Sequence, residues 1–358
     1  MQLPNLLRSG RHRSIQNTSM IFAPFGMVGL IVSGVLLSQS APAAAGGGVC
    51  NLKSIGNFGN TVVDILANVN ASATSQVEYN CNSPSKFNSI QFCTYIQAAD
   101  STQGSAIGNN TFYQARDNNA QLAWQMTLPE GGNTPIENFV GSKSTVGWTH
   151  YTNGSSSNQN TIASQQLTLR YLDRQHQDRV QSGVYNSAYQ LITQYKFNDN
   201  AQSSSCASGI ASPDGTIISD FMVTATVTKN CVMENFQDID FGSQDSIEIA
   251  SNNTGQHRAY GNIGIRCTYN TPYNISISKG NNFKDGIAQL KNGKNHLPYQ
   301  LFQAGCKTPW DDKNTLSGNG KAVNIVDNHQ VCAEIITPLS IAPAPGTYND
   351  VVTVTATF

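Results

Sequence analysis

The run Asp220-Phe221-Met222-Val223-Thr224-Ala225-Thr226-Val227-Thr228-Lys229-Asn230-Cys231 alternates strictly in polarity. Phe221, Val223, Ala225 and Val227 fall on one face and Met222, Thr224, Thr226 and Thr228 on the other, the period of a strand with one buried side. Such a strand needs a sheet to complete, and the sequence on either side of it repeats. Cys50 is followed by Phe58-Gly59 and Cys81, and Cys231 by Phe241-Gly242 and Cys267. After each second cysteine a turn leads into a strand, through Asn82 to Phe92 in one copy and Thr268 to Ile277 in the other. Further on, Leu122-Ala123-Trp124-Gln125-Met126 matches Leu297-Pro298-Tyr299-Gln300-Leu301, and Gly147-Trp148-Thr149 sits where Thr308-Pro309-Trp310 does. Gly183-Val184-Tyr185-Asn186-Ser187 parallels Gly346-Thr347-Tyr348-Asn349-Asp350, each opening an alternating strand. The inward residues of these strands are Tyr189, Leu191, Tyr195 and Phe197, and Val352, Val354, Ala356 and Phe358. The pattern predicts an all-β chain of two tandem immunoglobulin-like β-sandwich domains.

The predicted divisions are residues 46–198 for the first domain, 199–219 for a Ser-rich linker, 220–230 for the joint strand and 231–358 for the second domain. Each copy reaches its last strand directly after the Gly-x-Tyr-Asn turn, one strand short of a complete sandwich. The first copy has the Phe221 strand to fold back and complete it. The second has no following strand, so its last strand is expected to present an open edge that invites a strand from another chain.

Charged residues make up 12% of the chain and the formal net charge is −1, which leaves no electrostatic basis for binding nucleic acid or an anionic membrane. The N-terminus carries Arg8, Arg11, His12 and Arg13, an apolar run from Ile21 to Leu37, and then Ala41-Pro42-Ala43-Ala44-Ala45. This is the layout of a secretory signal peptide cleaved near residue 45. A membrane anchor is the competing reading of the same run, which Gly26, Gly29, Ser33 and Gly34 dilute.

All 8 cysteines follow that segment, four before the joint strand and four after it. An even count in an exported chain points to disulfides, and no C-x-x-C pair or nearby histidine offers metal-ligand spacing. The repeat pairs Cys50 with Cys81 and Cys231 with Cys267; Cys93 with Cys206 and Cys306 with Cys332 follow by elimination. No cofactor is expected.

Spacing between the repeat markers shows where the first copy has grown. Two loops account for it, one from about Ala99 to Asn119 and one from Leu128 to Gly141. The second carries Ile136, Phe139 and Val140 among turn formers, with Leu128, Pro129 and Pro135 as supports. Long loops on a rigid sandwich are common binding elements, and apolar residues at their tips are candidates for contact with a surface.

The joint strand, the Cys231 and Cys267 framework, Phe241-Gly242, Leu297-Pro298-Tyr299-Gln300-Leu301-Phe302, Trp310-Asp311 and the closing Pro345-Gly346-Thr347-Tyr348-Asn349-Asp350-Val351-Val352-Thr353-Val354-Thr355-Ala356-Thr357-Phe358 together resemble the spore coat protein U domain, shared by pilins of archaic, Csu-type chaperone-usher pili. The resemblance is specific over Phe221 to Phe358 and looser over Cys50 to Phe197, where it rests on the repeat. It implies that a periplasmic chaperone fills the open edge, that an outer-membrane usher assembles the fibre, and that a neighbouring pilin then donates the N-terminal extension preceding its first cysteine. In this chain that place before Cys231 holds Phe221, Val223, Ala225 and Val227. Before Cys50 it holds only Ala43-Ala44-Ala45-Gly46-Gly47-Gly48-Val49, with no alternating strand. A subunit able to accept but not to donate belongs at the fibre end, so the resemblance implies a tip adhesin at the cell surface, active in attachment to abiotic or host surfaces and in biofilm formation.

Two other classes share the fold: a structural minor pilin or coat-like protein without ligand, and a sugar-binding lectin using Trp124, Trp148 and Tyr151 as stacking platforms. The two tryptophans fall at repeat positions also filled by Tyr299 and Trp310, which favours framework roles for them. An enzyme finds little support. His150, His176, His257, His296 and His329 are scattered among polar residues and read as solvated, Asp311-Asp312 and Asp238 with Asp240 read as turn acids, and no nucleophile, zinc or phosphate-loop motif occurs.

Overall fold

A computed structural model of the chain describes residues 47–67, 71–98, 110–117, 120–128, 134–136, 146–152, 159–199, 206, 210, 212–251 and 257–358. The signal segment expected over 1–45, the Ala99 to Asn119 loop between 99 and 109, and Phe139 and Val140 lie outside them. The chain divides into two units between Thr228 and Lys229.

In the first unit the strands are β1 (Val49–Ile55), β2 (Asn60–Val63), β3 (Ser72–Ser83), β4 (Ser89–Ala98), β5 (Phe112–Asp117), β6 (Ala120–Thr127), β7 (Gly147–Tyr151), β8 (Gln159–Tyr171), β9 (Gly183–Asn198) and β10 (Gly215–Val227). They form one curled ten-stranded sheet in the order β1-β3-β8-β6-β5-β9-β10-β2, with β4 joining β9 to β7. The second unit contains β11 (Cys231–Gln237), a short helix α1 (Ser246–Ser251), β12 (Arg258–Cys267), β13 (Pro272–Ile277), β14 (Ala288–Asn292), β15 (Asn295–Phe302), β16 (Leu316–Asn319), β17 (Asp327–Ile335) and β18 (Val354–Thr357). Here a five-stranded sheet, β11-β12-β17-β15-β14, faces a three-stranded sheet, β16-β13-β18. Ile263, Ile265, Tyr299, Val331 and Ala333 from the first meet Tyr273, Ile275, Ile277 and Val354 from the second in one core, so the chain is all-β and sandwich-like.

Eight strands of the first unit, all but β2 and β10, have counterparts in the second. The run β1-β3-β8-β6-β5 of the first unit corresponds to β11-β12-β17-β15-β14 of the second, and β7-β4-β9 corresponds to β16-β13-β18. Local chemistry explains why the markers recur. In each Phe-Gly pair the phenylalanine is buried, Phe58 and Phe241 alike. The glycine that follows turns the chain in the left-handed region, with φ 69° at Gly59 and 65° at Gly242, where a side chain would be strained. Its N–H donates to the carboxamide or carboxylate two residues back, Asn57 or Asp240, at 2.8 Å in both cases. In the Gly-x-Tyr-Asn turns the tyrosine hydroxyl donates to a backbone carbonyl four residues upstream, Tyr185 to Gln181 at 2.8 Å and Tyr348 to Ala344 at 2.9 Å. The structure also bonds Cys50 to Cys81, Cys93 to Cys206, Cys231 to Cys267 and Cys306 to Cys332.

The joint strand is longer at its start than its alternation alone indicates. β10 begins at Gly215, five residues inside the segment expected as linker, because Ile217 and Ser219 continue the inward set and are buried. It ends at Val227, and Thr228 closes it with an N–H bond to the Val63 carbonyl at 3.0 Å. β10 pairs with β9 antiparallel along its whole length, from Gly215 opposite Tyr195 to Val227 opposite Gly183. On its other side it pairs with β2 in parallel, Thr224 opposite Asn60 to Val227 opposite Val63. β2, four residues long and partly exposed, carries no alternation of its own strong enough to be read from sequence.

Candidate functional site

The repeat makes the difference between the units visible. In the first, β9 is covered on both edges, by β4 and by β10. In the second, β18 pairs with β13 through Asn274 opposite Thr357, Ile275 opposite Ala356, Ser276 opposite Thr355 and Ile277 opposite Val354. Among the described residues no strand pairs with its other edge. The place that β2 takes in the first unit, after Phe58-Gly59, is taken in the second by α1, after Phe241-Gly242. Ile249 of α1 is fully buried in the core, whereas Ile247 is 71% exposed. Val352 and Val354 are buried, Ala356 is half-buried, and Phe358 is 48% exposed, so burial falls away along the strand with the open edge.

The start of β18 is held firmly. The Ser278 N–H donates to the Thr353 carbonyl and the Thr353 N–H donates to Ser278 Oγ, both at 2.8 Å. Asp350 is 1% exposed and accepts from the Tyr299 hydroxyl at 2.7 Å, from the Asn282 N–H at 3.0 Å and from Asn282 Nδ2 at 3.0 Å. Burial beside that carboxylate pushes the Tyr299 hydroxyl's pKa well above the usual phenol range. Asp350→Ala would leave the Tyr299 hydroxyl and the Asn282 N–H without their acceptor. It is expected to destabilise the second unit by about 3 kcal/mol, read as a lower urea midpoint of that unit. The other end of the core is tied by Tyr273, whose hydroxyl lies 2.7 Å from Asp327 Oδ2 and 2.8 Å from His329 Nε2, while Lys321 Nζ lies 2.6 Å from Asp327 Oδ1. Burial opposes ionisation of Asp327, but the bonds from Lys321 and Tyr273 outweigh it and hold its pKa below the usual carboxylate value. Burial depresses His329, with Asp327 opposing.

These groups have structural partners, which corrects two expectations. His257 is buried, with Nδ1 3.0 Å from Gln244 Oε1, and His329 is half-buried against Tyr273, so neither is a solvated histidine. Asp311 and Asp240 do act in turns: Asp311 Oδ1 accepts from the backbone of Lys313 and Asn314, and Asp240 from Gly242. Among the described residues no group of three or more His, Cys, Asp or Glu is placed to hold a metal ion.

The candidates in the first unit fare differently from one another. Ile136 is 0% exposed and Leu128 is 1% exposed. They are core residues, not contact residues. The cause is that the loop folds back on the strand it leaves: the Ile136 N–H donates to the Met126 carbonyl at 2.7 Å and Pro135 bridges Thr127. Pro135 is half-buried. Trp124 is fully buried and Trp148 nearly so, stacked on Phe92 with ring centroids 4.2 Å apart. Both are framework residues, which removes two of the three stacking platforms of a sugar site; Tyr151 is 52% exposed.

Residues 217–355 match the family model of the Spore Coat Protein U domain. None of the curated proteins searched matches the chain. Among solved structures, a chain of the CsuC-CsuE chaperone-tip adhesion subunit pre-assembly complex from archaic chaperone-usher Csu pili of Acinetobacter baumannii is similar at 18% identity, over 87% of this chain and 100% of that one, with a TM-score of 0.44. The CupB6 tip adhesin from Pseudomonas aeruginosa is similar at 8% identity, over 87% and 98%, with a TM-score of 0.36. The CooA pilin subunit from enterotoxigenic Escherichia coli is similar at 14% identity, over 51% and 99%, with a TM-score of 0.28.

Proposed function

We propose, taking residues 217–355 as a Spore Coat Protein U domain, that this chain is the tip adhesin of an archaic chaperone-usher pilus, joined to the fibre through the open edge of β18. One observation carries the reading. The family's sequence unit begins inside β10, yet β10 pairs with β9 and β2 in the other unit. The strand that opens the second domain's sequence therefore completes the first domain, and the edge of β18, the counterpart of β9, is left for a strand from elsewhere.

A periplasmic chaperone covers that edge during export, the outer-membrane usher passes the subunit to the surface, and the neighbouring pilin then supplies its own N-terminal strand. Residues 43–49 contain no alternating run, so the chain accepts a strand without offering one, and it sits at the fibre end with the first unit outermost. That unit attaches to an abiotic or host surface through its enlarged loops and so promotes biofilm growth. With Ile136 and Leu128 in the core, Phe139 and Val140 carry the apolar contact.

Gold-labelled antibody against the first unit is expected to mark fibre ends only. Phe139→Ser with Val140→Ser is expected to abolish attachment while leaving labelled fibres intact. Label spaced along the fibre would support a shaft subunit instead, and wild-type attachment of the variant would remove this loop.

A further inference from the structure

At the pole of the second unit where β18 begins there is a cleft of about 250 Å³, walled in part by Ser278 and Tyr299. Leu301, Pro309 and Trp310 line it, with Phe283, Ile287 and Lys279 at its rim. Trp310 is fixed in the wall by its indole N–H, which donates to the Ile275 carbonyl at 2.9 Å. Phe283 and Ile287 are 40% and 42% exposed, unusual for large apolar side chains grouped at one opening. Lys279 Nζ lies 5.0 Å from the centroid of the Phe283 ring and 3.7 Å from Asp312 Oδ1, so the rim offers a cation beside apolar surface.

We propose that this cleft docks the body of the subunit that donates its strand to β18, as a second contact beyond the strand itself. The inference rests on the strand-accepting reading, and strand direction carries it further. β10 runs antiparallel to β9 and finishes with Val227 opposite Gly183, where β9 starts. A strand added to β18 in the same sense finishes opposite the start of β18, beside Thr353, which is bonded to Ser278 of the cleft wall. In this chain only Thr228, Lys229 and Asn230 separate the end of β10 from Cys231, the first residue of the next strand. At roughly 3.3 Å per residue, a donor built the same way has its body within about 13 Å of this pole. The cleft is therefore within reach of the residues that follow the donated strand. The chemistry it fits is an apolar side chain flanked by a carboxylate or carbonyl oxygen for Lys279.

The test uses the full chain in assembling cells, with a photo-crosslinking residue at one exposed position at a time. Phe358→p-benzoylphenylalanine, at the end of β18, reports the donated strand. Phe283→p-benzoylphenylalanine reports the cleft, and Ile325→p-benzoylphenylalanine, 50% exposed in the wild type and two residues before Asp327 at the opposite pole, is the control. The expected result is that positions 358 and 283 capture the same pilin, the second attaching just after its donated strand, with no such adduct at 325. An adduct at 358 without one at 283, or capture of a different protein at 283, overturns the docking proposal alone. No pilin adduct at 358 overturns the strand-accepting reading and this inference with it.

Discussion

Val223→Asp is expected to unfold the first unit while leaving the second folded. Val223 is 0% exposed, in the middle of β10, with Ser187 of β9 opposite it. Its neighbours on the inward face are Phe221, whose ring lies 6.0 Å from Phe58 and 5.9 Å from Tyr189, and the fully buried Ala225. The substitution loses about 1.5 to 3 kcal/mol of apolar burial and adds the penalty of an unpaired buried carboxylate, several kcal/mol more. The sum rivals the whole stability of an ordinary domain, about 5 to 15 kcal/mol. Met222→Asp, one residue away and 58% exposed in the wild type, is the matched control and is expected to change little. Thermal unfolding followed by limited proteolysis separates the two variants. Equal protease resistance of the first unit in both would mean that β10 does not complete it.

The second large effect concerns the other unit. A peptide with the sequence of residues 217–228 is expected to raise the melting temperature of the second unit by roughly 10 °C when present at about 100 times its dissociation constant, since such saturation adds about 2.7 kcal/mol. Four inward apolar side chains contribute about 6 to 10 kcal/mol of gross burial, and ordering the peptide offsets much of it. The chain's own β10 does not compete, because all thirteen of its residues are already paired with β9. A peptide with Ser at positions 221, 223, 225 and 227 is expected to give no shift.

Much of this was legible in the sequence because the two copies use the same local chemistry at the same places. The buried Phe before a left-handed Gly and the Tyr that bonds back across its turn need particular residue types, so they survive as markers where the rest of the repeat has diverged. Four strictly alternating apolar residues identified β10, and the markers on either side showed that it lies at the joint. Three things were not legible. β2 is four residues long, too short to show an alternation, and the start of β10 is obscured because the adjacent Ile217 and Ile218 break the strict alternation even though Thr216, Ile217 and Ile218 favour strands. Ile136 sits among Gly, Pro and Asn in sequence, and only the return of its N–H to Met126 makes it core. His257 looked solvated because its polar sequence neighbours say nothing of Gln244, which bonds it from thirteen residues away. The cleft beside β18 was not legible either, since Lys279, Phe283 and Ile287 come from the β13–β14 connection and Trp310 from the β15–β16 connection, far apart in sequence.

The central claim is that the second unit is a sandwich with one strand edge left open. Hydrogen exchange at the four amides of β18, Val354–Thr357, in the full chain with and without the 217–228 peptide tests it most directly. Amides facing β13 should be protected in both samples, and those facing the open edge should exchange quickly alone and become protected when the peptide is added. If all four were protected in the chain alone and unchanged by peptide, the edge would already be filled and the account would be contradicted.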